Sequence, residues 1–538
     1  MPNPYPGEAL DELPMTNPLS SFTEQGPWEV TLEDLPWRVG LDAVRARTRA
    51  RVPDLVRRRR LPPVGRLLKT SAYLLTAVAG WAIRGRRRGG AASREDISRR
   101  LRQAFEHLGP TYIKLGQVIS SAQGVLPDEL VTEFSGLRDR VVAEPFEVVR
   151  ATVDVAFGRP LREVFAHFDG EPTAAASIAQ VHMATLRTGE EVAVKIQRPE
   201  IDRLVREDIA VMAWLAPILA RRIDILKIVN LPAVIELFAE TIVEELDFRL
   251  EAENMLDVAM VLDQAGQGSI VVPRPHPTLV TPRVLVMERM YGFAFTDVTG
   301  MREAYVDTAA VVRACLVSVL EGAMIYGVFH GDLHGGNLLI RPDGRVALLD
   351  YGITGRLDDR RRTVFLRMLL AAMTGDHRAV LVGYQDLGAI SPDADLDEFM
   401  REIPMDRPVV DATSANADQM IVEMRRVTKA LVKHGTRLPK ELMLFMKDFM
   451  FIDGAIGTLA PDLDVLGEML FVSQYFVRQH GAQIASEIGL DPGALALDPS
   501  SWASSMGVDG ERPSLTHEEI QRQRREMRTM MAERRRQR

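Results

Sequence analysis

Hydrophobic residues recur at two different spacings along this chain of 538 residues. Four long segments carry apolar residues at the spacing of amphipathic helices: residues 94–125, 231–258, 301–328 and 360–480. Two other segments are rich in β-branched residues, which predicts strands: residues 191–197 (EVAVKIQ) and residues 269–290, which end in VLVMERM. Residues 338–349, LLIRPDGRVALL, predict two strands joined by a Pro-Asp-Gly turn. The pattern as a whole therefore predicts an α+β protein.

Two polar motifs flank this predicted hairpin. HGDLHGGN, at residues 330–337, contains Asp332 and Asn337, and DYG begins at Asp350 after the second strand. In kinase-type sites one Asp faces the attacking hydroxyl or water, while an Asn and a second Asp hold magnesium against the nucleotide phosphates. Magnesium prefers hard oxygen ligands and keeps several waters, so these few side chains suffice. We interpret Asp332 as catalytic and Asn337 and Asp350 as magnesium ligands; the alternative is a polar turn beside a hairpin.

A lysine on an upstream strand completes such a site. Lys195 stands in the V-A-x-K position of EVAVKIQ, where an ammonium would bridge the α- and β-phosphates of ATP. The lysine needs an acidic partner on the following helix, and we assign that catalytic supporting role to Glu251. The alternative for Lys195 is an ordinary lysine on an edge strand.

The expected phosphate-binding loop departs from that of protein kinases. A glycine-rich loop is replaced by Ala174, Ala175, Ala176 and Ser177, which we expect to be stiffer because alanine resists positive φ. Gly331 replaces the Arg of H-R-D, and no A-P-E follows DYG. Within VLVMERM, the segment of Met287, Glu288 and Met290 is interpreted as the hinge whose backbone would hydrogen-bond adenine; an ordinary sheet strand is compatible with the same pattern.

Six motifs in order carry a family resemblance: K-x-G-Q, A-A-A-S with I-A-Q-V-H, V-A-V-K-I-Q, E-x-D, H-G-D-L-H-x-x-N and D-Y-G. Over roughly residues 90–360 the chain resembles the UbiB family, which includes the ADCK group of atypical kinase-like proteins. The resemblance implies a two-lobed protein-kinase-like fold with an N-terminal helical extension and a largely helical C-terminal lobe. It also implies that Lys114 and Gln117 of K-x-G-Q, with Glu245 and Asp247 of E-x-D, lie over the active site.

The same resemblance implies function. It implies binding of ATP and Mg, ATPase or small-molecule phosphotransferase activity, and a role in isoprenoid quinone biosynthesis at a membrane. The implied partners are a prenyl lipid or quinone precursor and quinone-biosynthesis enzymes. Two alternatives stay open: a soluble small-molecule kinase, and a nucleotide-gated lipid-binding module without productive phosphotransfer.

The domain organisation predicted from these patterns has six parts. They are a disordered acidic N-terminus (1–40), a basic and apolar helical segment that includes the candidate membrane-interface helix (41–92), the KxGQ helical extension (93–165), a kinase-like N-lobe with inserted helices (166–292), a kinase-like C-lobe (293–487), and a linker with a basic helical tail (488–538).

Composition adds limits on location. The chain is 46% hydrophobic and 26% charged, as in ordinary globular proteins, and its net charge is −8. Cys315 is the single cysteine, so no intrachain disulfide can form, and the N-terminus has neither the basic start nor the apolar core of a signal peptide. We expect a cytoplasmic protein that is not secreted.

One apolar segment indicates membrane contact. Residues 71–83, SAYLLTAVAGWAI, lie between the arginines of 57–60 and those of 84–88, with Tyr73 and Trp81 near the ends. This segment is shorter than the roughly 20 apolar residues that span a bilayer, and none longer is evident. The pattern is typical of an interface helix on an anionic membrane surface, so we expect peripheral binding to the inner face. The alternative is a helix packed on the core. No nucleic acid is expected, because no aromatic residues interleave the basic run.

Overall fold

A computed structural model describes residues 21–23, 26–58, 62–120, 127–137, 142–223, 226, 230–373, 376–402 and 439–489. Every structural statement below concerns these residues. Residues 1–20 of the predicted acidic N-terminus, Arg59 and Arg60 of the first arginine cluster, and residues 490–538 of the predicted linker and tail lie outside them.

Helices make up most of the described chain. In order they are α1 (Leu41–Val56), α2 (Val64–Gly80), α3 (Gly90–Leu108), α4 (Pro110–Ser120), α5 (Asp128–Ser135), α6 (Phe146–Phe157), α7 (Leu161–Val164), α8 (Ile201–Arg222), α9 (Leu231–Glu244), α10 (Phe248–Gln264), α11 (Val298–Glu303), α12 (Thr308–Glu321), α13 (Asp359–Met373), α14 (His377–Asp386), α15 (Leu396–Glu402), α16 (Lys440–Leu459) and α17 (Val465–Ile488). π-helical turns extend α2 over Trp81–Gly85 and α12 over Gly322–Tyr326.

Three helices that the sequence predicted as continuous are divided in the structure. The first breaks at Gly109, which has a φ of 104°. Glycine adopts positive φ readily, whereas residues with a side chain rarely do. The second breaks before α10, where the Asp247 carboxylate accepts a hydrogen bond from the Arg249 amide and caps the new helix. The third breaks at Tyr305, with φ of 59°, and restarts where Asp307 caps α12. Local capping and backbone conformation thus override a continuous apolar pattern.

The strands form three sheets. They are β1 (Phe165–Phe168), β2 (Ala174–Ala175), β3 (Ala179–Leu186), β4 (Glu191–Gln197), β5 (Ile270–Val271), β6 (Pro275–Val280), β7 (Val284–Glu288), β8 (Phe293–Ala294), β9 (Val328–His330), β10 (Leu338–Ile340), β11 (Val346–Leu348) and β12 (Thr354–Arg356). The largest sheet has the order β1-β3-β4-β7-β6, with β2 also paired to β3; the second has the order β5-β11-β10-β8, and β9 pairs with β12.

Strand β4 separates a small core from the functional cleft. Val192, Val194 and Ile196 are buried in a cluster that includes Val149 and Val153 of α6. Because side chains alternate across a strand, Lys195 points to the opposite face of the sheet. The apolar packing under the sheet therefore fixes the direction of this lysine.

A larger core connects the sheets with the helices of both lobes. It contains Phe248 of α10, Cys315 of α12, Phe329 of β9 and Phe445 of α16, all buried. The predicted α+β fold with two kinase-like lobes, an N-terminal helical extension and a largely helical C-terminal lobe is confirmed. The predicted hairpin of residues 338–349 is also present, as antiparallel β10 and β11.

Among the described residues, one helix is long and apolar enough to cross a membrane, whereas the sequence pattern predicted no such segment. It covers Thr308–Tyr326, has a mean hydropathy of 1.7, and is 61% buried inside the protein. Burial to this extent is typical of the core helix of a globular lobe, because its apolar side chains already have protein neighbours. Length and composition alone therefore do not make it a membrane span.

Candidate active site

A buried ion pair joins β4 and α10 within the N-lobe. Lys195 Nζ lies 2.6 Å from Oε1 of Glu251, which stands in the first turn of α10. Burial alone would lower the pKa of Lys195, but the carboxylates of Asp350 and Glu251 raise it above its ordinary value. Burial raises the pKa of Glu251 to about 7, against the opposing effect of Lys195. The structure thus brings the predicted lysine and its acidic partner into direct contact.

Asp350 completes this arrangement from the other lobe. It follows β11, and its Oδ1 lies 3.3 Å from Lys195 Nζ and 2.9 Å from the amide nitrogen of Gly352. Burial would raise the pKa of Asp350, but Lys195 and Lys114 hold it below its ordinary value. Its side chain is still 39% exposed, so the carboxylate is ionised and open to the cleft.

The loop after β9 carries Asp332 and Asn337. Asn337 Nδ2 donates to the Asp332 carbonyl oxygen at 3.1 Å, which closes the loop on itself. His330 accepts from the Asp332 amide through Nδ1 at 3.2 Å and donates through Nε2 to the Asp350 carbonyl oxygen. Both ring nitrogens of His330 are therefore engaged in holding the backbone. Within the described parts of the chain, no group of three or more His, Cys, Asp or Glu side chains is arranged to hold a metal ion by itself.

The N-terminal extension reaches this loop through Lys114 of α4. Its Nζ lies 3.1 Å from Oε1 of Glu245 and 4.0 Å from Oδ2 of Asp332. Burial raises the pKa of Glu245, with Lys114 opposing the shift. Gln117 lies one turn further along the same helix and is half-buried. Lys114 and Glu245 therefore lie beside the predicted catalytic aspartate.

Asp247 lies at the start of α10, where its described contacts are with Arg249. Its carboxylate caps α10 through the Arg249 amide at 3.1 Å and pairs with Arg249 Nη2 at 2.7 Å. The acidic residue thus fixes where the helix carrying Glu251 begins. Asp247 lies in the same turn as Glu245, and its described contacts stabilise the start of α10.

The alanine-rich segment is a short strand followed by a tight turn. Ala174 and Ala175 form β2, and the Ala176 amide donates to the Ala179 carbonyl at 2.8 Å. Arg198 Nε donates to the Ala176 carbonyl at 3.1 Å, and Ser177 is buried. These contacts hold the backbone of the turn; the stiffness that its composition predicts stays a prediction.

The predicted hinge residues lie at the end of β7 and just beyond it, and all are buried. Met287 packs in the large core, while Met290 packs with Val271 and Ala347. The Glu288 carboxylate accepts from the Thr23 hydroxyl and from the Arg274 amide, so its side chain faces the N-terminal segment. Because these side chains are buried and already have partners, adenine could hydrogen-bond only with the backbone of this segment.

Sequence reasoning missed two neighbouring residues of α16. The Lys447 ammonium pairs with Oδ1 of Asp332, and Asp448 Oδ1 accepts from the Leu333 amide at 2.9 Å. Burial would raise the pKa of Asp332, but Lys447 and Lys114 hold it well below its ordinary value. Burial raises the pKa of Asp448 well above its ordinary value. A helix outside every recognised motif therefore contacts the catalytic loop.

Comparison with known proteins supports the same assignment. Residues 136–382 match the ABC1 atypical kinase-like domain. An uncharacterized protein of Mycobacterium tuberculosis strain H37Rv is 37% identical over 388 residues, which cover 70% of this chain and 77% of that protein. The chain belongs to the ABC1 atypical kinase-like family.

Another ABC1-family relative carries a UbiB name. A Pseudomonas aeruginosa protein named Probable protein kinase UbiB is 30% identical over 376 residues, which cover 68% of this chain and 69% of that protein. A solved complex of a Mycobacterium tuberculosis protein with erythromycin is 22% identical, with a TM-score of 0.36, and covers 64% of this chain and 91% of that one. The ABC1 domain match and the identity to this UbiB relative confirm the predicted membership of the UbiB and ADCK group.

The ABC1 match contains most, but not all, of the site. Residues 136–382 include Lys195, Glu251, Asp332 and Asp350. Lys114 lies before the match and Lys447 lies after it. The family domain therefore accounts for the kinase-like centre, while two of its cations come from flanking helices.

Proposed function

We propose that this protein binds Mg-ATP between its lobes and acts as an ATPase or small-molecule phosphotransferase that supports quinone or other prenyl-lipid metabolism at a membrane surface. The observation that carries the proposal is the position of Lys195, whose ammonium lies 2.6 Å from Glu251 and 3.3 Å from Asp350. Such a lysine is available to nucleotide phosphates while its charge is maintained by two carboxylates. The quinone role rests on the family resemblance.

The oxygen donors of the cleft fit a magnesium ion. Asp350 offers an ionised, partly exposed carboxylate, and Asn337 offers an amide oxygen because its nitrogen already donates to Asp332. Magnesium is usually held by one or two protein oxygens together with substrate phosphates. Asp350 and Asn337 would hold it, and the bound ion would supply neutralisation of phosphate charge.

Protein groups account for the remaining chemistry. Lys195 orients the α- and β-phosphates, and Asp332 orients the attacking hydroxyl or water for in-line transfer. Because Lys447 and Lys114 keep the pKa of Asp332 below its ordinary value, Asp332 is a weak base and acts mainly through position and charge. Phosphoryl transfer through a loose transition state tolerates a weak base, since positioning and charge neutralisation dominate its catalysis.

The N-terminal extension favours a small acceptor. Lys114 of α4 lies 4.0 Å from Asp332, the residue that would orient the acceptor. A peptide laid along this loop would have to displace the helix and break the Lys114–Glu245 pair. Water or a small hydroxyl compound needs far less space, so we assign the acceptor to that class.

Helix α2 supports the membrane part of the proposal. Leu68, Leu75 and Ile83 are 64%, 67% and 67% exposed along one side of the helix and its final turn, with Arg84 beside them. The opposite side packs on the protein, since Tyr73 stacks on His107. Trp81 donates to the Ser93 carbonyl at 3.1 Å. The exposed aliphatic stripe, rather than the aromatic residues, is therefore the proposed lipid contact.

ATP hydrolysis by the purified protein tests the proposal. Turnover is measured with magnesium, with and without vesicles that contain an anionic lipid, and Asp350→Ala serves as the blank. We expect turnover that depends on Asp350 and rises with the vesicles. Tight ATP binding without hydrolysis in either condition would overturn the ATPase assignment and favour the nucleotide-gated binding module.

A further inference from the structure

A lysine from the C-terminal lobe enters the catalytic loop from outside the recognised motifs. Lys447 of α16 pairs with Oδ1 of Asp332, from a position 115 residues further along the chain. Its side chain is 24% exposed, so Lys447 is not sealed in the core. This contact does not follow from the family domain, which ends at residue 382.

The catalytic loop itself provides no permanent cation. HGDLHGGN contains no Arg or Lys, and Gly331 stands where protein kinases have the Arg of H-R-D. Charge on the transferring phosphoryl group nevertheless has to be neutralised, because this is a main part of catalysis in phosphoryl transfer. Lys195 is directed at the other side of the site by its contacts with Glu251 and Asp350. A further cation beside Asp332 would act where the nucleophile meets phosphorus.

We propose that Lys447 is a catalytic residue, which pairs with Asp332 in the free protein and neutralises the γ-phosphoryl group during its transfer. The inference rests on the proposed function, since it requires ATP in the cleft. A lysine ammonium has three donors, so it can keep one hydrogen bond to Asp332 and offer another to a phosphate oxygen.

The step balances with water or a hydroxyl compound as acceptor. The acceptor oxygen forms a bond to the γ-phosphorus. The bond between this phosphorus and the β,γ-bridging oxygen breaks, and its electron pair stays on that oxygen, which becomes part of ADP. The acceptor proton passes by way of Asp332 to bulk water. Lys447 forms and breaks no covalent bond; its charge lies beside the phosphoryl oxygens as the transfer proceeds.

A purely structural role is already filled by the next residue. Asp448 is fully buried and its carboxyl oxygen accepts from the Leu333 amide at 2.9 Å, which fixes α16 against the loop. Lys440 on the same helix provides a matched control. Its Nζ pairs with Glu244 at 3.5 Å, and its side chain is exposed to a similar extent, 17% against 24% for Lys447.

The test compares Lys447→Met, Lys447→Arg and Lys440→Met in the full-length protein. Each variant is assayed for Mg-ATP turnover, for affinity toward a non-hydrolysable ATP analogue, and for Mg-ADP binding with aluminium fluoride as a mimic of the phosphoryl group in transfer. We expect Lys447→Met to lower kcat by about 10²-fold or more, as the loss of a transition-state donor does. Analogue affinity should stay near wild type, the aluminium fluoride complex should weaken, and Lys447→Arg should recover part of both losses.

Three outcomes would overturn the inference, and they separate it from the proposed function. If the wild type turns over ATP and Lys447→Met does so equally fast or faster, Lys447 is a structural or inhibitory partner and the proposed function stands. If Lys440→Met loses kcat as strongly as Lys447→Met, the effect belongs to helix α16. If the wild type binds no Mg-ATP at all, the proposed function fails and this inference fails with it. If the wild type binds ATP but does not hydrolyse it, the inference is tested only by whether Lys447→Met weakens the complex with Mg-ADP and aluminium fluoride.

Discussion

The ammonium of Lys114 lies 3.1 Å from Oε1 of Glu245, and this pair joins the N-terminal extension to the kinase-like core. The two side chains are only 14% and 5% exposed, so water can replace neither partner easily. Lys114→Met should therefore lower the free energy of unfolding by about 3–5 kcal/mol, since removing one partner leaves a buried charge unpaired. Urea unfolding at neutral pH measures this loss.

A double-mutant cycle separates the pair from other effects of the lysine. Lys114→Met combined with Glu245→Gln should recover most of the stability, because the carboxylate that was left unpaired is gone. Arg94→Met is the control, since Arg94 pairs with Glu129 in the same extension but is 56% exposed. That surface pair should contribute at most about 1 kcal/mol. Equal losses for Lys114→Met and Arg94→Met would contradict the prediction.

The raised pKa of Glu251 makes stability depend on pH. Burial moves its pKa from 4.5 to about 7 in the folded protein, so the folded state holds a proton that the unfolded state has already released. The unfolded state is thus favoured as pH rises from about 4.5 to about 7, and the contribution of Glu251 to stability falls over this window. Unfolding free energies of the nucleotide-free wild type and of Glu251→Gln, measured from pH 5 to pH 7.5, should show the wild type losing stability relative to the variant. A constant difference would mean that Glu251 is ionised throughout.

Motifs with local chemistry could be predicted from the sequence, whereas contacts made by distant helices could not. Lys195, Glu251 and Asp350 were identified because each residue type has a defined task at a defined spacing. Lys447 was missed because its segment shows only the apolar pattern of a core helix, and nothing local relates it to Asp332. The capping role of Asp247 has a local signal, an Asp directly before a helical pattern.

Asp350 should be required for the effect of Mg-ATP on stability. Ligand binding to the folded state raises the unfolding free energy, by about 2.7 kcal/mol at a ligand concentration 100 times Kd. Asp350→Asn should abolish most of this increase because it removes the ionised oxygen that would hold magnesium. Thermal unfolding with ATP, in the presence and in the absence of EDTA, measures the stabilisation that depends on magnesium.

A control for this variant lies on the same hairpin. Asp343 is in the turn between β10 and β11, is 41% exposed, and pairs with Arg345 at 2.9 Å. Asp343→Asn should leave the Mg-ATP effect unchanged. Stabilisation by Mg-ATP that survives in Asp350→Asn would argue against Asp350 as a magnesium ligand.

Asp448 should stabilise the catalytic loop as a buried hydrogen-bond acceptor. Its pKa is raised well above its ordinary value by burial, and its Oδ1 accepts from the Leu333 amide. Asp448→Asn keeps that acceptor and should unfold close to wild type, whereas Asp448→Ala leaves the amide without it and should lose about 1–3 kcal/mol. Urea unfolding compares the two. If Asn were as destabilising as Ala, the loop would require the carboxyl group itself, and the acceptor role alone would not explain Asp448.

The exposed stripe of α2 should determine binding to anionic vesicles. A double change, Leu68→Glu with Leu75→Glu, removes two aliphatic contacts and adds charge that an anionic surface repels. Each leucine contributes about 1.5–3 kcal/mol when fully buried, so vesicle affinity should fall at least tenfold. Sedimentation with vesicles of phosphatidylcholine and phosphatidylglycerol measures this affinity.

Val155→Glu provides the matched control for that surface. Val155 is 79% exposed on α6, in a different part of the protein, so an acidic residue there adds charge without touching the stripe. Vesicle binding of this variant should stay near that of the wild type. High salt should weaken wild-type binding, because the arginines that follow α2 contribute by electrostatic attraction. Equal binding by the Leu68→Glu, Leu75→Glu protein would show that α2 is not the contact, and lipid dependence of turnover would then have to originate elsewhere.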